Sequence, residues 1–248
     1  MSRLLGRKTI RFDTVESTNE ILKSLTIDGI EAGTVVTSNI QTHGKGRLDR
    51  KWESPEGGLW MSVLLETDTA FESNKFGLLP LMAGASVATA IIMEYDLDAG
   101  VKWPNDVLIG GRKVSGILCE LIERSGMRCA VVGIGINVNN PVKEGYEFSG
   151  LSTSVVEEFG KPVGLEDLEN AVLEELDFRN GLLSQGEYDK ILDDWRELTV
   201  TLGKRVAVNT PGGLVNGTAN DVDDNGSLIL DCGGRTEKIN VGDCQHLE

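Results

Sequence analysis

Between Arg7 and Phe12 the apolar residues Ile10 and Phe12 alternate with polar neighbours, which predicts a short strand. In the following VESTNEILKSL, Ser17 stands three residues before Glu20 in a capping-box pattern, and Ile21, Leu22 and Leu25 recur at helical spacing. A helix is therefore expected to open at Ser17, Thr18 and Asn19. Strands are expected over Gly33–Gln41 and Leu59–Glu66, with Gly57-Gly58 as punctuation. From Leu78 to Tyr95 apolar and small residues run around the whole circumference of a long helix, the pattern of a buried element. Val101–Trp103 reads as a strand, Pro104 keeps the preceding residue extended, and Asn105-Asp106 suits a turn. Gly110-Gly111 signals a tight hairpin into a strand over Lys113–Glu123, which would put Lys102 and Lys113 on adjacent strands.

A second hairpin is expected at Arg124-Ser125-Gly126, leading into RCAVVGIGINVN. Its β-branched run with Gly133 and Gly135 predicts a central strand that another backbone or a ligand approaches closely, with Asn137 and Asn139 alternating to one face at its end. Leu165–Leu183 and Glu187–Leu198 read as amphipathic helices. Past Leu198 short strands alternate with Pro211-Gly212-Gly213, Asp223-Asp224-Asn225-Gly226 and Gly233-Gly234, which predicts a small antiparallel barrel or sheet. The change divides the chain into residues 1–198 and 199–248.

Charge changes this picture at one place. The chain carries 24 basic and 39 acidic residues, a net of −15, yet HGKGRLDRKW (residues 43–52) sets Lys45, Arg47, Arg50 and Lys51 against Asp49 alone. Two glycines that allow close backbone approach, with arginines that supply planar donors, suit a phosphate or carboxylate. The acidity elsewhere argues against a general nucleic-acid binder, which needs a basic face. Four cysteines without a CxxC pair and two histidines far apart do not compose a zinc site, and buried free thiols are expected. No uninterrupted apolar run approaches the about 20 residues that span a bilayer, and the charged N-terminus is not a secretory signal, so a cytoplasmic protein is expected. There is no GxxxxGK[ST] loop, and GIGINVN lacks the third glycine of a dinucleotide fingerprint.

Taken in order, STN at a helix start, GKGR-x-x-RKW in a strand-flanked loop, KWPND, RK followed by SGILCE, and GIGINVN resemble the biotin protein ligases. The resemblance covers nearly the whole chain, including the small C-terminal β-domain. The usual family loop is GRGR-x-GRxW; here Lys45 replaces its first arginine and Asp49 a glycine.

This resemblance implies an α+β fold: a mixed β-sheet with flanking helices, as in the catalytic domains of class II aminoacyl-tRNA synthetases and biotin ligases, then a small C-terminal Src-homology-3-like β-barrel. It implies a catalytic biotin/ATP-binding domain over 1–198 and the barrel over 199–248. The implied enzyme uses ATP to convert biotin to biotinyl-5′-AMP, releasing pyrophosphate, and passes biotin to a lysine of a biotin carboxyl carrier protein. Its small molecules would be biotin, ATP and Mg²⁺, the ion held mainly by ATP phosphates. A homodimer without nucleic-acid or membrane partners is implied. The first motif begins by Ser17, which leaves no room for the N-terminal helix-turn-helix of some members, so the monofunctional form is expected.

By the same resemblance, Ser17, Thr18, Asn19 and Gln41 would hold the biotin ureido ring, with Gly116 also on the biotin side. Gly44, Lys45, Gly46 and Arg47 would close over the carboxylate and the adenylate. Arg50 would face phosphates, Trp52 the adenine, and Lys102, Asn105, Asp106 and Asn137 the nucleotide and Mg²⁺. Lys113 would contact both the carboxylate and the α-phosphate as the main catalytic group, with Arg47 and Asp106 completing the catalytic set. Two alternatives are a lipoate or octanoate ligase-like enzyme and a non-catalytic biotin- or nucleotide-sensing module.

Overall fold

The computed structural model describes residues 3–66, 73–124, 127–142 and 152–247. Its elements run β1 (Thr9–Val15), α1 (Thr18–Ile27), β2 (Val35–Gln41), β3 (Leu59–Glu66), α2 (Leu78–Tyr95), β4 (Ala99–Lys102), β5 (Asp106–Ile109), β6 (Arg112–Arg124) and β7 (Met127–Ile136). There follow α3 (Val155–Phe159), α4 (Leu165–Ser184), α5 (Tyr188–Leu198), β8 (Arg205–Thr210), β9 (Gly213–Val222), β10 (Leu228–Asp231), β11 (Thr236–Ile239) and β12 (Asp243–His246). The first seven strands form one mixed sheet in the order β1-β2-β3-β7-β6-β5-β4, parallel only between β1 and β2. The last five form an antiparallel sheet with β11 and β12 at its edges.

Alternation along the central strands assigns each face of the large sheet. Met61, Val63 and Leu65 of β3 and Val132, Ile134 and Ile136 of β7 join the main core, over which α2, α4 and α5 pack. On the opposite face Leu64 and Val131 pack with Leu22 of α1. Further along that face come Ser62, Gly133 and Gly135, small residues against which the side chains of Asn19 and Trp52 pack. The cavity described below lies there.

The helical stretch Lys75–Tyr95, most of which is α2, is long and apolar enough, by length and composition alone, to cross a membrane. Its place in the fold accounts for the composition: Leu78, Leu79, Leu81 and Met82 are fully buried in the core. Burial of such a side chain contributes about 1.5–3 kcal/mol.

The KWPND region departs from expectation. Asp106 opens a strand, β5, that pairs with β4 on one side and β6 on the other, so Lys102 on β4 and Lys113 on β6 are not on adjacent strands. The run of residues 106–109 is too short to stand out as a strand between two turn signals. The Gly110-Gly111 turn is as expected, with both glycines at positive φ. Residues 125 and 126 of the second expected hairpin lie outside the described residues. Asn137 and Asn139 lie beyond the end of β7, where strand alternation no longer applies.

The small sheet is fastened to the large one through the same region. Val200 N–H donates to Val101 O (2.9 Å), Trp103 N–H to Thr201 Oγ1 (3.0 Å), and the Trp103 indole to Gly226 O (3.0 Å).

Candidate active site

A cavity of about 500 Å³ opens where the first turn of α1 meets the small residues of β3 and β7. At this end its walls are neutral. Ser17 is the N-cap residue of α1, but its hydroxyl makes no capping bond, and Glu20 pairs with Lys23 (2.7 Å) and Lys45 (2.6 Å), so the expected capping box does not close. Those two lysines hold the Glu20 carboxyl below its ordinary range. Instead Gln41, at the end of β2, satisfies the helix start: its Oε1 accepts from Thr18 N–H (2.8 Å), and its Nε2 donates to Ser54 Oγ (2.8 Å). Buried Asn19 donates to Glu120 (2.8 Å) and Leu118 O (3.3 Å), while Ser62 Oγ lies 2.8 Å from Thr18 Oγ1 and 2.5 Å from Asn19 Oδ1.

The basic stretch is a small hairpin. Lys45 bridges Lys51 antiparallel, Gly46 N–H donates to Arg50 O (2.7 Å), and Trp52 N–H to Gly44 O (2.9 Å). At the tip Arg50 N–H donates to Arg47 O (3.2 Å), and Leu48 and Asp49 both have positive φ, 55° and 57°. That is the backbone of a primed turn, which usually selects Asn-Gly. Its two glycines differ. A Cβ on Gly44 would lie 2.3 Å from Trp52 O and 2.6 Å from Ser54 Oγ, whereas on Gly46 the nearest atom is 3.4 Å away. The side chain of Trp52 returns over the sheet, where Gly116 of β6 and Gly135 of β7 are paired partners; ideal Cβ atoms there would meet its ring at 3.1 and 2.5 Å. The buried indole N–H has no partner among the described residues.

At the hairpin end the cations converge, each beside an acceptor. Arg47 donates to Asn105 Oδ1 (2.8 Å) and Gly242 O (3.0 Å), Arg50 pairs with Asp243, and Lys51 with Glu53 (2.8 Å). Lys113 Nζ lies 2.5 Å from Asp106 Oδ1, close as an ion pair but not aligned as a hydrogen bond, and 5.2 Å from the centre of the Trp52 ring. Burial lowers the Arg47 pKa, against the carboxylates of Asp243 and Asp106, which raise it, and Arg50, which lowers it further. Five cations (Lys45, Arg47, Arg50, Lys51 and Lys113) and three acids (Glu53, Asp106 and Asp243) line the cavity. In a chain of net charge −15 this is a local reversal of sign, and the arrangement can neutralise a polyanion beside a neutral polar slot.

Residues 11–137 match the model of the biotin/lipoate A/B protein ligase family, and residues 201–247 that of the biotin protein ligase C-terminal domain. The chain belongs to the biotin/lipoate A/B protein ligase family. This ligase is 31% identical to the bifunctional ligase/repressor BirA of Bacillus subtilis, over 98% of its own length and 75% of that protein's. It is 33% identical to the biotin–[acetyl-CoA-carboxylase] ligase of Mycobacterium tuberculosis, over 93% and 86% of the two chains. Among solved structures, it matches the biotin protein ligase of Aquifex aeolicus, determined in complex with biotin and ATP. The TM-score is 0.83 at 28% identity, covering 97% and 99% of the two chains. The mixed sheet with flanking helices and the C-terminal antiparallel sheet are thus the fold that the motifs implied.

Of the ligase residues singled out from sequence, Ser17, Thr18, Asn19, Gln41, Lys45, Gly46, Arg47, Arg50, Trp52, Asn105, Asp106, Lys113, Gly116 and Asn137 line this one cavity. Gly44 and Lys102 do not. Gly44 is packed inside the hairpin against Trp52 and Ser54, and the charge of Lys102 is felt instead at Cys244 and His246 of β12. Asn139 is also absent from the lining; it exchanges two hydrogen bonds with Val163 (2.8 and 3.0 Å) and staples a loop. Sequence reasoning missed Ser62 and Asp243. A serine in the otherwise apolar run LWMSVLL was the available signal for the first; no local signal marks the second.

Proposed function

We propose that this ligase activates biotin with ATP and transfers it to a lysine of a biotin carboxyl carrier protein. The supporting observation is the two-ended cavity, a buried neutral cluster facing convergent cations. In the first step a biotin carboxylate oxygen attacks the α-phosphorus. The P–O bond to the β-phosphate breaks, and pyrophosphate leaves. In the second the carrier amine attacks the acyl carbon, forming an amide, releasing AMP and giving up a proton. Bringing a carboxylate onto a polyphosphate needs positive charge. Opposite unit charges ~4 Å apart attract by about 4 kcal/mol at an effective dielectric near 20.

Ser17, Thr18, Asn19 and Gln41 hold the ureido ring, whose neutral donors and acceptors want neutral partners, and Gly116, under the Trp52 ring, also lies on the biotin side. Lys113 turns from Asp106 to the carboxylate and α-phosphate, which frees Asp106 to hold the incoming amine. Lys45, Gly46 and Arg47 cover the adenylate, Arg50 faces the leaving phosphates, and Trp52 packs on the adenine. Asn105 and Asn137 line the nucleotide side. Among the described residues no group of three or more His, Cys, Asp or Glu is placed to hold a metal. Mg²⁺ is read as entering with the nucleotide, bound chiefly by its phosphates. We also read the chain as a cytoplasmic homodimer, its catalytic domain ending near residue 198, without nucleic-acid or membrane partners.

The test is ATP-dependent transfer of labelled biotin to the lysine of a carrier domain, run beside pyrophosphate exchange with biotin or lipoate as the acid. Biotin-dependent exchange and transfer are expected. Exchange with lipoate alone would favour the lipoate-ligase reading, and biotin binding with neither exchange nor transfer would overturn the mechanism.

A further inference from the structure

The two arginines of the hairpin tip reach the turn that opens β12, 193 and 195 residues away in sequence. Arg47 meets a backbone carbonyl, Gly242 O, but Arg50 meets the carboxylate of Asp243, which itself lines the cavity. The anchor is firmly seated. Asp243 pairs with Asn209 in the β8–β12 ladder, and a Cβ on Gly242 would lie 2.5 Å from Val208 and 3.0 Å from Asn209 O. The pair is half open to water, with side-chain exposures of 40% for Arg50 and 27% for Asp243. It is placed to exchange partners at modest cost.

We propose that Arg50 and Asp243 form a latch between the basic hairpin and the small sheet, opened by the polyphosphate of ATP and closed again once pyrophosphate has left. The inference rests on Arg50 facing the leaving phosphates, as read above. A single carboxylate charge competes poorly with the several charges of the β- and γ-phosphates, so ATP takes Arg50 from Asp243. After adenylation the remaining nucleotide carries one phosphate, which Lys113 and Arg47 engage. Arg50 then returns to Asp243 and draws the hairpin down over the acyl-adenylate. Asp243 is a positioning residue: it acts through Arg50.

The experiment uses the full chain and the variants Asp243→Asn and Asp243→Glu. One measurement is the affinity for a non-hydrolysable ATP analogue with Mg²⁺; the other is the release rate of pre-formed biotinyl-5′-AMP. Removing the competing charge in Asp243→Asn should tighten the analogue about two- to five-fold and speed release by a similar factor. Asp243→Glu should move both values back toward those of the unmodified chain. Weaker analogue binding in Asp243→Asn would mean that the carboxylate serves the nucleotide or its cation, and would overturn the latch, as would unchanged release. If the unmodified chain binds the analogue and the variant shows no shift, the latch alone fails. If the unmodified chain binds no analogue, the functional reading fails and takes the latch with it.

Discussion

The two ends of the cavity are built on different principles. Around Thr18, Asn19, Gln41 and Ser62 the polar groups satisfy one another inside the protein, and the small residues Ser62 and Gly133 let the Asn19 side chain seat directly against the sheet. Around the hairpin Arg47, Arg50 and Lys113 already have protein acceptors, so an anionic ligand gains only the difference between its own contacts and those it displaces. The neutral end is preorganised and sensitive to shape. The charged end is an exchange of partners, sensitive to charge and to which acids stand nearby.

The largest effect should come from removing Lys113, the cation proposed to stand nearest the chemistry. Lys113→Ala leaves the Asp106 carboxylate without its partner and, on the proposed mechanism, the developing phosphate charge without its closest counter-charge. Loss of one such group costs about 10²–10³ in rate. Biotin-dependent pyrophosphate exchange should fall by at least that factor while the fold is retained. Exchange within a few-fold of the unmodified chain would remove Lys113 from the centre of the charged end.

The neutral end should respond to a single methyl group. A Cβ on Gly133 would lie 2.3 Å from Asn19 Oδ1 and must push that side chain from its place beside Ser62 and Glu120. Overpacking of this kind costs about 1–3 kcal/mol, so Gly133→Ala should weaken biotin binding by roughly ten-fold or more. Titration calorimetry with biotin alone isolates this end. Equal affinity there would show that the ring does not use Asn19.

Much of this site was legible because its parts are local. STN, GKGR and KWPND each place two or three lining residues within a few positions of one another, and the strand-turn punctuation located the hairpin between β2 and β3. What escaped was the part that depends on distance. Asp243 meets Arg50 across 193 residues, and no pattern in either neighbourhood announces the pair. Lys102 looked like a partner for Lys113 because β5 was short enough to be taken for a turn, and one extra strand carries it out of the cavity. The membrane-length α2 illustrates the reverse case: composition alone cannot separate a core helix from a spanning one, and here burial decides.

The hairpin glycines offer a finer test, because only one of them is sterically required. Gly44→Ala drives a Cβ against the Trp52 carbonyl and should reshape the hairpin, so biotinyl-5′-AMP should escape about ten-fold faster. Gly46→Ala has room, with its nearest neighbour at 3.4 Å, and should change escape by less than about two-fold. Equal effects would mean that backbone flexibility, and not packing, is what the loop needs from both.

A smaller effect than that of Gly44→Ala is expected at the tip. Leu48 and Asp49 hold positive φ without being glycine, and Leu48 is exposed, so no buried packing compensates for its strain. A left-handed residue costs about 1–2 kcal/mol, less for Asp, while glycine forfeits roughly 0.5–1 kcal/mol through the freedom of the unfolded chain. Replacing the pair by Leu48→Asn with Asp49→Gly gives the dipeptide that the turn prefers and removes one negative charge beside four cations. The net gain in hairpin order should be about 1 kcal/mol or less, which slows release of biotinyl-5′-AMP by up to about five-fold and leaves biotin affinity in the absence of ATP unchanged. Slower release with constant biotin affinity would separate the two ends cleanly. A parallel change in both would show that the hairpin also shapes the neutral end, and the division between preorganised and exchanging halves would have to be redrawn.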